Sequence, residues 1–221
     1  EMQRSLVGSE MCIRDRKMQT MLMLKKGMML VGLIFFSLPA NAGCTLEETA
    51  RKVIMGFQQE DAQLINSLID KKTGLYVLFH RGASMDVENL KQINFRQPVP
   101  EYFPWPSAGE HVPRDDEFNK KAIPKFNCER GWNKQGYFIS NSDVHHKVSR
   151  SLVFTQMFGS PQNTISDAQI AAARRMEYGA VRVVAAPEES NDGLVFYLSQ
   201  LYSYDSDWYL TVVDQIGDCG A

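Results

Sequence analysis

The first periodic pattern in the chain is an apolar stripe with helical spacing that begins after Thr45. Thr45 and Glu48 have the spacing of a capping box, in which each side chain accepts a hydrogen bond from a backbone N–H at the start of a helix. The apolar residues that follow recur every three or four positions: Leu46, Ala50, Val53, Ile54 and Phe57. A second short helix is predicted from Asp61, and its inward-facing residues are Leu64, Ile65, Leu68 and Ile69.

The middle of the chain is less regular. Residues 75–79 predict a buried strand, and residues 86–93 predict a short helix. Five prolines between 98 and 113 follow, and because proline donates no hydrogen bond to a sheet, we expect an inserted Pro- and aromatic-rich loop at 97–124. Short strands are predicted at 125–128 and 136–140, on either side of a turn at Gly131 and Trp132. Residues 148–158 fit either a helix or a strand.

The last part of the chain has the clearest pattern. Ser166 is placed to cap an Ala-rich helix at 167–178, and three strands follow at 181–185, 194–202 and 208–213. Short turns at 191–193 and 204–207 separate these strands, which favours an antiparallel meander. The fold class predicted is α+β, with N-terminal helices packed on one face of a curved antiparallel sheet that ends in a C-terminal meander.

This order of elements resembles the nuclear transport factor 2-like, or cystatin-like, superfamily. The resemblance is carried by a helix pair, a strand, a helix and a closing hairpin that ends in WYLTVVD at 208–214. The segment TGLYVLF at 73–79 and the Asp218-Cys219 tail are similar to exported proteins of Bacteroidetes with that fold. The resemblance implies a curved sheet around a helix, with a cone-shaped cavity. Members of the superfamily bind small molecules, catalyse isomerisation or dehydration, or act as interaction modules, so the fold does not select among these functions.

Residues 22–42 have the three zones of a secretory signal peptide. Lys25 and Lys26 are followed by eleven uncharged residues at 28–38 and by small residues that end at Ala42. An apolar run of this length is too short to span a bilayer, which takes about 20 residues. We therefore expect cleavage near Ala42 and a periplasmic or secreted protein. Residues 1–17 are expected to be a spurious, adapter-like translation, which leaves a signal peptide at 18–42 and one α+β domain at 43–221.

The charge of the predicted mature chain is acidic. Residues 43–221 contain 18 Lys and Arg against 23 Asp and Glu, which gives a net charge of −5. Because no basic stripe is present to neutralise phosphates, nucleic acid is not an expected partner. No transmembrane span is predicted in the mature chain.

Three cysteines remain after the predicted cleavage. In an oxidising compartment two of them should pair, and Cys128 and Cys219 are the candidate disulfide, since a bridge at Cys219 would tie down the C-terminal tail. The alternative is that all three are free and buried. Cys44 could instead carry a lipid anchor, although Asn41 stands where lipidation prefers an aliphatic residue.

Six residues are speculative ligand-binding candidates: Tyr76, His80, Arg81, Trp105, Tyr197 and Asp214. His80 and Arg81 end the first predicted strand beside Gly82, a position where binding groups often gather, and surface ion pairing is the alternative. Asp214 closes the last strand. Burial there would raise the pKa of its carboxyl and suit a general base, whereas the alternative is an acid that caps a turn at the sheet edge.

The aromatic candidates and the adjacent histidines have simpler interpretations. Tyr76 and Tyr197 suit packing on a pleated surface, and one or both could line a pocket. His145 and His146 would point to opposite faces of a strand, so they are interpreted as part of a solvated turn rather than as a metal site. We predict no metal and no cofactor.

No familiar metal-binding, nucleotide-binding or nucleophile motif is present, so no reaction is predicted. The leading hypothesis is a non-catalytic periplasmic protein that binds a small molecule or an envelope protein. One alternative is an acid–base enzyme of the isomerase or dehydratase type, in which Asp214 or His80 faces a tyrosine hydroxyl in a cavity. A second alternative is an envelope structural protein that is lipid-anchored through Cys44.

Overall fold

The computed structural model describes residues 44–82, 84–120, 122–127, 129–141, 146–159, 164–187, 193–203 and 207–215, with only the backbone at Arg81 and Ser84. The predicted signal peptide and the candidate disulfide partners Cys128 and Cys219 lie outside the described residues.

The two N-terminal helices begin close to the predicted residues, Thr45 and Asp61. Helix α1 (Leu46–Gln58) starts with a complete capping box: the Thr45 hydroxyl accepts from the backbone N–H of Glu48, and the Glu48 carboxylate accepts from that of Thr45 at 2.9 Å. Helix α2 (Ala62–Ser67) is capped by Asp61, whose carboxylate accepts from the Leu64 N–H at 2.9 Å. Both predicted helices are confirmed.

Seven strands form one open mixed sheet. In chain order the described strands are β1 (Leu75–Arg81), β2 (Ser84–Leu90), β3 (Phe118–Asn119), β4 (Phe126–Asn127), β5 (Gly131–Trp132), β6 (Gly136–Ser140), β7 (Ala180–Ala186), β8 (Leu194–Ser199) and β9 (Tyr209–Asp214). The sheet has the order β2-β1-β9-β8-β7-β6-β3, and β4 and β5 form a separate hairpin. Strands β7, β8 and β9 are the predicted antiparallel meander, which is confirmed together with the α+β class.

Two features of the predicted sheet are wrong. The sheet is not wholly antiparallel, since β1 lies parallel to β9 and β3 lies parallel to β6. It also carries helices on both faces: α1 and α2 pack on one face, whereas α3 (Lys147–Phe158) and α4 (Asp167–Tyr178) pack on the other. The reason is that the β7–β9 meander is apolar on both sides, so each face needs a cover.

The helix predicted at 86–93 is also wrong. Residues 84–90 form β2, which pairs with β1 along its whole length in an antiparallel hairpin. Gly82 adopts a positive φ of 63° in the turn, which glycine does without a steric cost. Seven cross-strand pairs outweigh the weak helical preference of so short a segment.

The inserted segment at 97–124 contains regular structure that its prolines concealed. A 3₁₀ turn at Asp115–Glu117 leads into β3 at the edge of the sheet. Trp105 packs edge-on against Phe57 of α1 and against Phe95, with ring centroids 6.2 and 6.3 Å apart. The insertion therefore covers part of the α1 face of the sheet.

Helix α3 resolves the ambiguous segment 148–158 in favour of a helix, and α4 begins at the predicted cap, Ser166. In the described part of the chain, no helix is both long enough and apolar enough to cross a membrane.

Candidate functional site

The six residues predicted as ligand-binding candidates do not meet at one place. Tyr76 lines an open cleft beside α4, whereas Tyr197 and Asp214 are buried below the start of α3. His80 lies near the end of β1, where its carbonyl accepts from the Tyr102 hydroxyl at 3.3 Å. Trp105 packs on the opposite face of the sheet, and the side chain of Arg81 is outside the described residues.

The open cleft has a volume of about 580 Å³ and lies between the β1–β2 hairpin and the helices α3 and α4. Its apolar wall consists of Val87, Leu152, Ile165, Ala172, Met176 and Leu201. Its polar lining consists of Lys72, Thr73, Tyr76, Asn89, Lys91, Gln169, Arg175, Gln200 and Tyr202. The volume lies within the range of small-molecule pockets.

The charged side chains that line the cleft are all cationic. Lys72 precedes β1, Lys91 follows β2, and the antiparallel hairpin brings both to one end of the sheet, where Lys91 Nζ donates to the Lys72 carbonyl at 3.2 Å. Arg175 adds a third positive charge from α4. No carboxylate is found among the described lining residues. The cleft therefore combines an apolar wall with a positive rim.

An acid next to the cleft is already engaged by hydrogen bonds. Asp70 accepts from the Tyr202 hydroxyl at 3.0 Å and from the backbone N–H groups of Thr73 and Lys72 at 2.7 and 3.1 Å. Burial acts to raise the pKa of Asp70, but these donors outweigh it and hold the pKa below its usual value of 3.8. The carboxylate thus fixes Tyr202 at the edge of the cleft.

Tyr76 is a neutral hydroxyl at the floor of the cleft. Burial raises the pKa of its phenol above the usual 10.0, and the nearby Glu177 carboxylate raises it further. At neutral pH the Tyr76 side chain can donate a hydrogen bond to an anionic group without carrying a charge that would repel it.

Two further predicted residues belong to a buried polar cluster below α3. Lys147 Nζ donates to Asp214 Oδ2 at 2.8 Å, and the Asp214 side chain is completely buried. Glu177 Oε1 accepts from the backbone N–H of Val148 at 2.8 Å, so that a carboxylate lies at the N-terminus of α3, where the helix dipole favours it. Tyr197 lies on the neighbouring strand β8.

The space beside this cluster is too small for a ligand. The gap bordered by Leu78, Lys147, Glu177 and Tyr197 measures about 10 Å³, less than a bound organic molecule needs. Asp214 and Tyr197 therefore lie in a packed interface that joins α3 and α4 to the sheet.

Cys44 does not carry a free thiol, and Lys52 Nζ lies 3.6 Å from its sulfur. Burial lowers the pKa of the Lys52 ammonium, and the Glu48 carboxylate opposes that shift.

The structure describes no metal centre. Within the described ranges, no three His, Cys, Asp or Glu side chains come together as a metal would require. His146 precedes α3 as its N-cap residue and has a positive φ of 50°. Its Nδ1 atom lies 3.8 Å from Glu177 Oε2. His145 is outside the described residues.

Sequence reasoning missed the cationic rim of the cleft. Lys72 and Lys91 are 19 residues apart, both are exposed, and nothing in their local sequence distinguishes them from other surface lysines. The available signal was the possibility that 84–90 pairs with 75–81, which would have placed the two lysines at the same end of a hairpin.

No family model, no curated protein and no solved structure matches the chain. The resemblance to the nuclear transport factor 2-like superfamily therefore stays a prediction.

Proposed function

We propose that this protein is a non-catalytic binding protein that takes a small amphipathic anion into the cleft beside α4. The observation that carries the proposal is the lining of the cleft: Lys72, Lys91 and Arg175 above an apolar wall, with no carboxylate among the described lining residues. An apolar tail would be removed from water against the wall, which contributes about 25 cal/mol for each Å² buried. A carboxylate, sulfate or phosphate head would meet the cationic rim.

The polar groups of the cleft also favour an anionic head over a cationic one. Tyr76 and Gln200 can donate hydrogen bonds. Two carboxylates are described close to the lining residues: Asp70 already accepts from Tyr202 and two backbone N–H groups, and Glu177 accepts from the Val148 N–H at the start of α3. A cationic ligand would face three like charges, and this repulsion would exclude it.

The acid–base alternative draws less support from the geometry. Its two candidate groups, Asp214 and His80, are not among the described residues that line the cleft. Asp214 pairs with Lys147, and the gap beside Lys147 measures only about 10 Å³. A substrate could not approach this carboxylate without a rearrangement of α3.

Export to an oxidising compartment is part of the proposal. It is supported by the apolar run at 28–38 with its small-residue exit, and by Cys44, which is not a free thiol. We propose that Cys44 is held in a disulfide, which would exclude a lipid anchor at the same sulfur. Intact mass under non-reducing conditions should show a start near Gly43, no diacylglycerol and the loss of two hydrogens for each disulfide. A lipid increment would overturn this part of the proposal.

The binding proposal is tested with two ligands that share one tail. A fluorescent fatty acid with a medium-length chain and the corresponding neutral alcohol should be titrated into the purified protein. We expect the acid to bind at least tenfold more tightly than the alcohol, because only the acid carries a charge for the rim. Equal affinities would refute the role of the cations, and no binding of either ligand would refute the proposal.

A further inference from the structure

A second feature of the α3–α4 face lies outside the cleft. Four of the six large hydrophobic side chains that are exposed in the described residues belong to α3 and α4: Phe154, Met157, Phe158 and Tyr178, whose exposed fractions are 48, 66, 67 and 90%. Together with Arg150 and Arg174 they are called the outer stripe below. So large an apolar exposure in one place marks an interaction site more often than chance.

The spacing of the outer stripe is helical. Arg150, Phe154, Met157 and Phe158 recur at intervals of four, three and one residues, so they share one side of α3. The Phe154 and Phe158 rings contact each other, with centroids 5.0 Å apart. The opposite side of α3 is buried on the sheet, where the Ser151 hydroxyl donates to the Met85 carbonyl at 2.8 Å. The apolar side chains therefore point outward from a helix that is firmly attached.

The charge on this surface is positive, in contrast to the chain as a whole. Arg150, Val153, Arg174 and Tyr178 border a shallow groove between the two helices, and no carboxylate is among its described lining residues. The one exposed acid on the two helices is Asp167, which accepts from Gln156 Nε2 at 2.9 Å. The mature chain predicted from the sequence carries a net charge of −5, so this local excess of arginine does not reflect overall composition.

We propose that the outer stripe docks on an anionic lipid surface. Aromatic and Met side chains enter the boundary between headgroups and acyl chains, while arginines beside them pair with anionic headgroups. The helices are 12 residues long, so they would lie on the surface and not cross it. The proposal is separate from ligand binding in the cleft, because it uses Arg174, which borders the groove between α3 and α4, whereas Arg175 lines the cleft.

A second copy of the chain fits this surface less well. In a two-fold dimer both copies present the same patch, so two arginine-bearing surfaces, each with Asp167 as the one exposed acid described on its helices, would face each other. The exposed acids Asp115 and Asp116 lie beside α1 and already pair with Arg51 and Arg114. Charge complementarity therefore favours an anionic bilayer.

The test is co-sedimentation of the full exported protein with vesicles. Vesicles of phosphatidylcholine with 30% phosphatidylglycerol should bind the protein, whereas pure phosphatidylcholine should bind it at least tenfold more weakly. The double variant Arg150→Glu with Arg174→Glu should lower the partition coefficient on the anionic vesicles by tenfold or more. Each arginine near an anionic surface raises the partition coefficient about fivefold. Met157→Ser with Phe158→Ser should lower it about tenfold by removing the inserted apolar groups.

Two matched controls separate docking from general effects. Tyr102→Ser with Phe103→Ser removes exposed aromatic side chains elsewhere, and Arg130→Glu with Lys134→Glu makes the same change in net charge; both should alter partition by less than threefold. Melting temperatures should show that every variant folds. The proposal is overturned if the wild type ignores anionic vesicles, if the controls lose binding equally, or if the stripe variants only convert a dimer to a monomer.

Discussion

The two faces of the sheet are built differently: one is mainly apolar, and the other includes most of the buried charged residues described. On the α1 face, the core is mainly apolar: Val53, Ile54 and Ile65 are completely buried, and Trp105 of the insertion packs against Phe57. On the α3–α4 face, the packing includes three of the four buried charged residues described, Glu177, Arg182 and Asp214.

The α3–α4 face also leaves open space. The cleft lies at one end of this face, and the outer stripe lies on its helices. Replacing a buried ion pair with well-packed apolar side chains of similar volume is often neutral or stabilising. Selection for stability alone therefore does not explain the buried charges on this face. In the proposed function the α3–α4 face presents the binding groups, and we expect the α1 face to contribute more to stability.

The largest difference between the faces should appear in a matched pair of phenylalanines. Phe57→Ala on α1 should lower the free energy of unfolding by about 3–5 kcal/mol, because Phe57 is buried against Phe95 and Trp105. Phe154→Ala on α3 should lower it by less than about 0.5 kcal/mol, because Phe154 is 48% exposed. Urea denaturation measures both, and equal losses would contradict the division between the faces.

The second prediction concerns the buried ion pair. Asp214→Asn leaves the Lys147 ammonium without its charged partner and should destabilise the protein by about 3 kcal/mol. Adding Lys147→Met removes the largely buried ammonium as well and should recover part of that loss, since no cation then lies beside the neutral Asn side chain. A double variant as unstable as Asp214→Asn would show that the pair is not the source of the effect. Neither change should alter anion binding in the cleft by more than about threefold if binding does not use Asp214.

Local signals in the sequence predicted those parts of the fold that depend on neighbouring residues. The structure confirms the caps at Thr45 and Ser166, the short helix that starts near Asp61 and the β7–β9 meander, each of which rests on a few adjacent positions. Strand β2 was mistaken for a helix because its identity depends on pairing with β1. The cleft was missed for the same reason, since Lys91 reaches it only through that pairing.

A buried position for Asp214 is one of the two interpretations that the sequence allows. The sequence does not predict that Lys147 is the partner of Asp214. Lys147 lies 67 residues away on a helix that the sequence left ambiguous. An ion pair of this kind is created by tertiary packing and has no local pattern.

The smallest predicted effect concerns Tyr202, which lines the cleft and donates a hydrogen bond to Asp70. Tyr202→Phe removes a hydrogen bond to the Asp70 carboxylate and should raise the pKa of Asp70 toward its usual 3.8, which NMR titration measures. Because the folded pKa is lowered, Asp70 stabilises the fold above about pH 4, and this contribution is lost as the pH falls through the folded value. The variant should lose less stability on acidification than the wild type. An unchanged pKa would show that the backbone donors alone hold it down.

The most direct test of the account compares two adjacent arginines on α4. Arg175 lines the cleft and Arg174 borders the groove between α3 and α4, so Arg175→Glu and Arg174→Glu make the same charge change at two different surfaces of α4. In a titration with the fluorescent fatty acid, Arg175→Glu should weaken binding at least tenfold, and Arg174→Glu should change it by less than twofold. Equal effects of the two variants, or none, would contradict the claim that the cleft binds an amphipathic anion through its cationic rim.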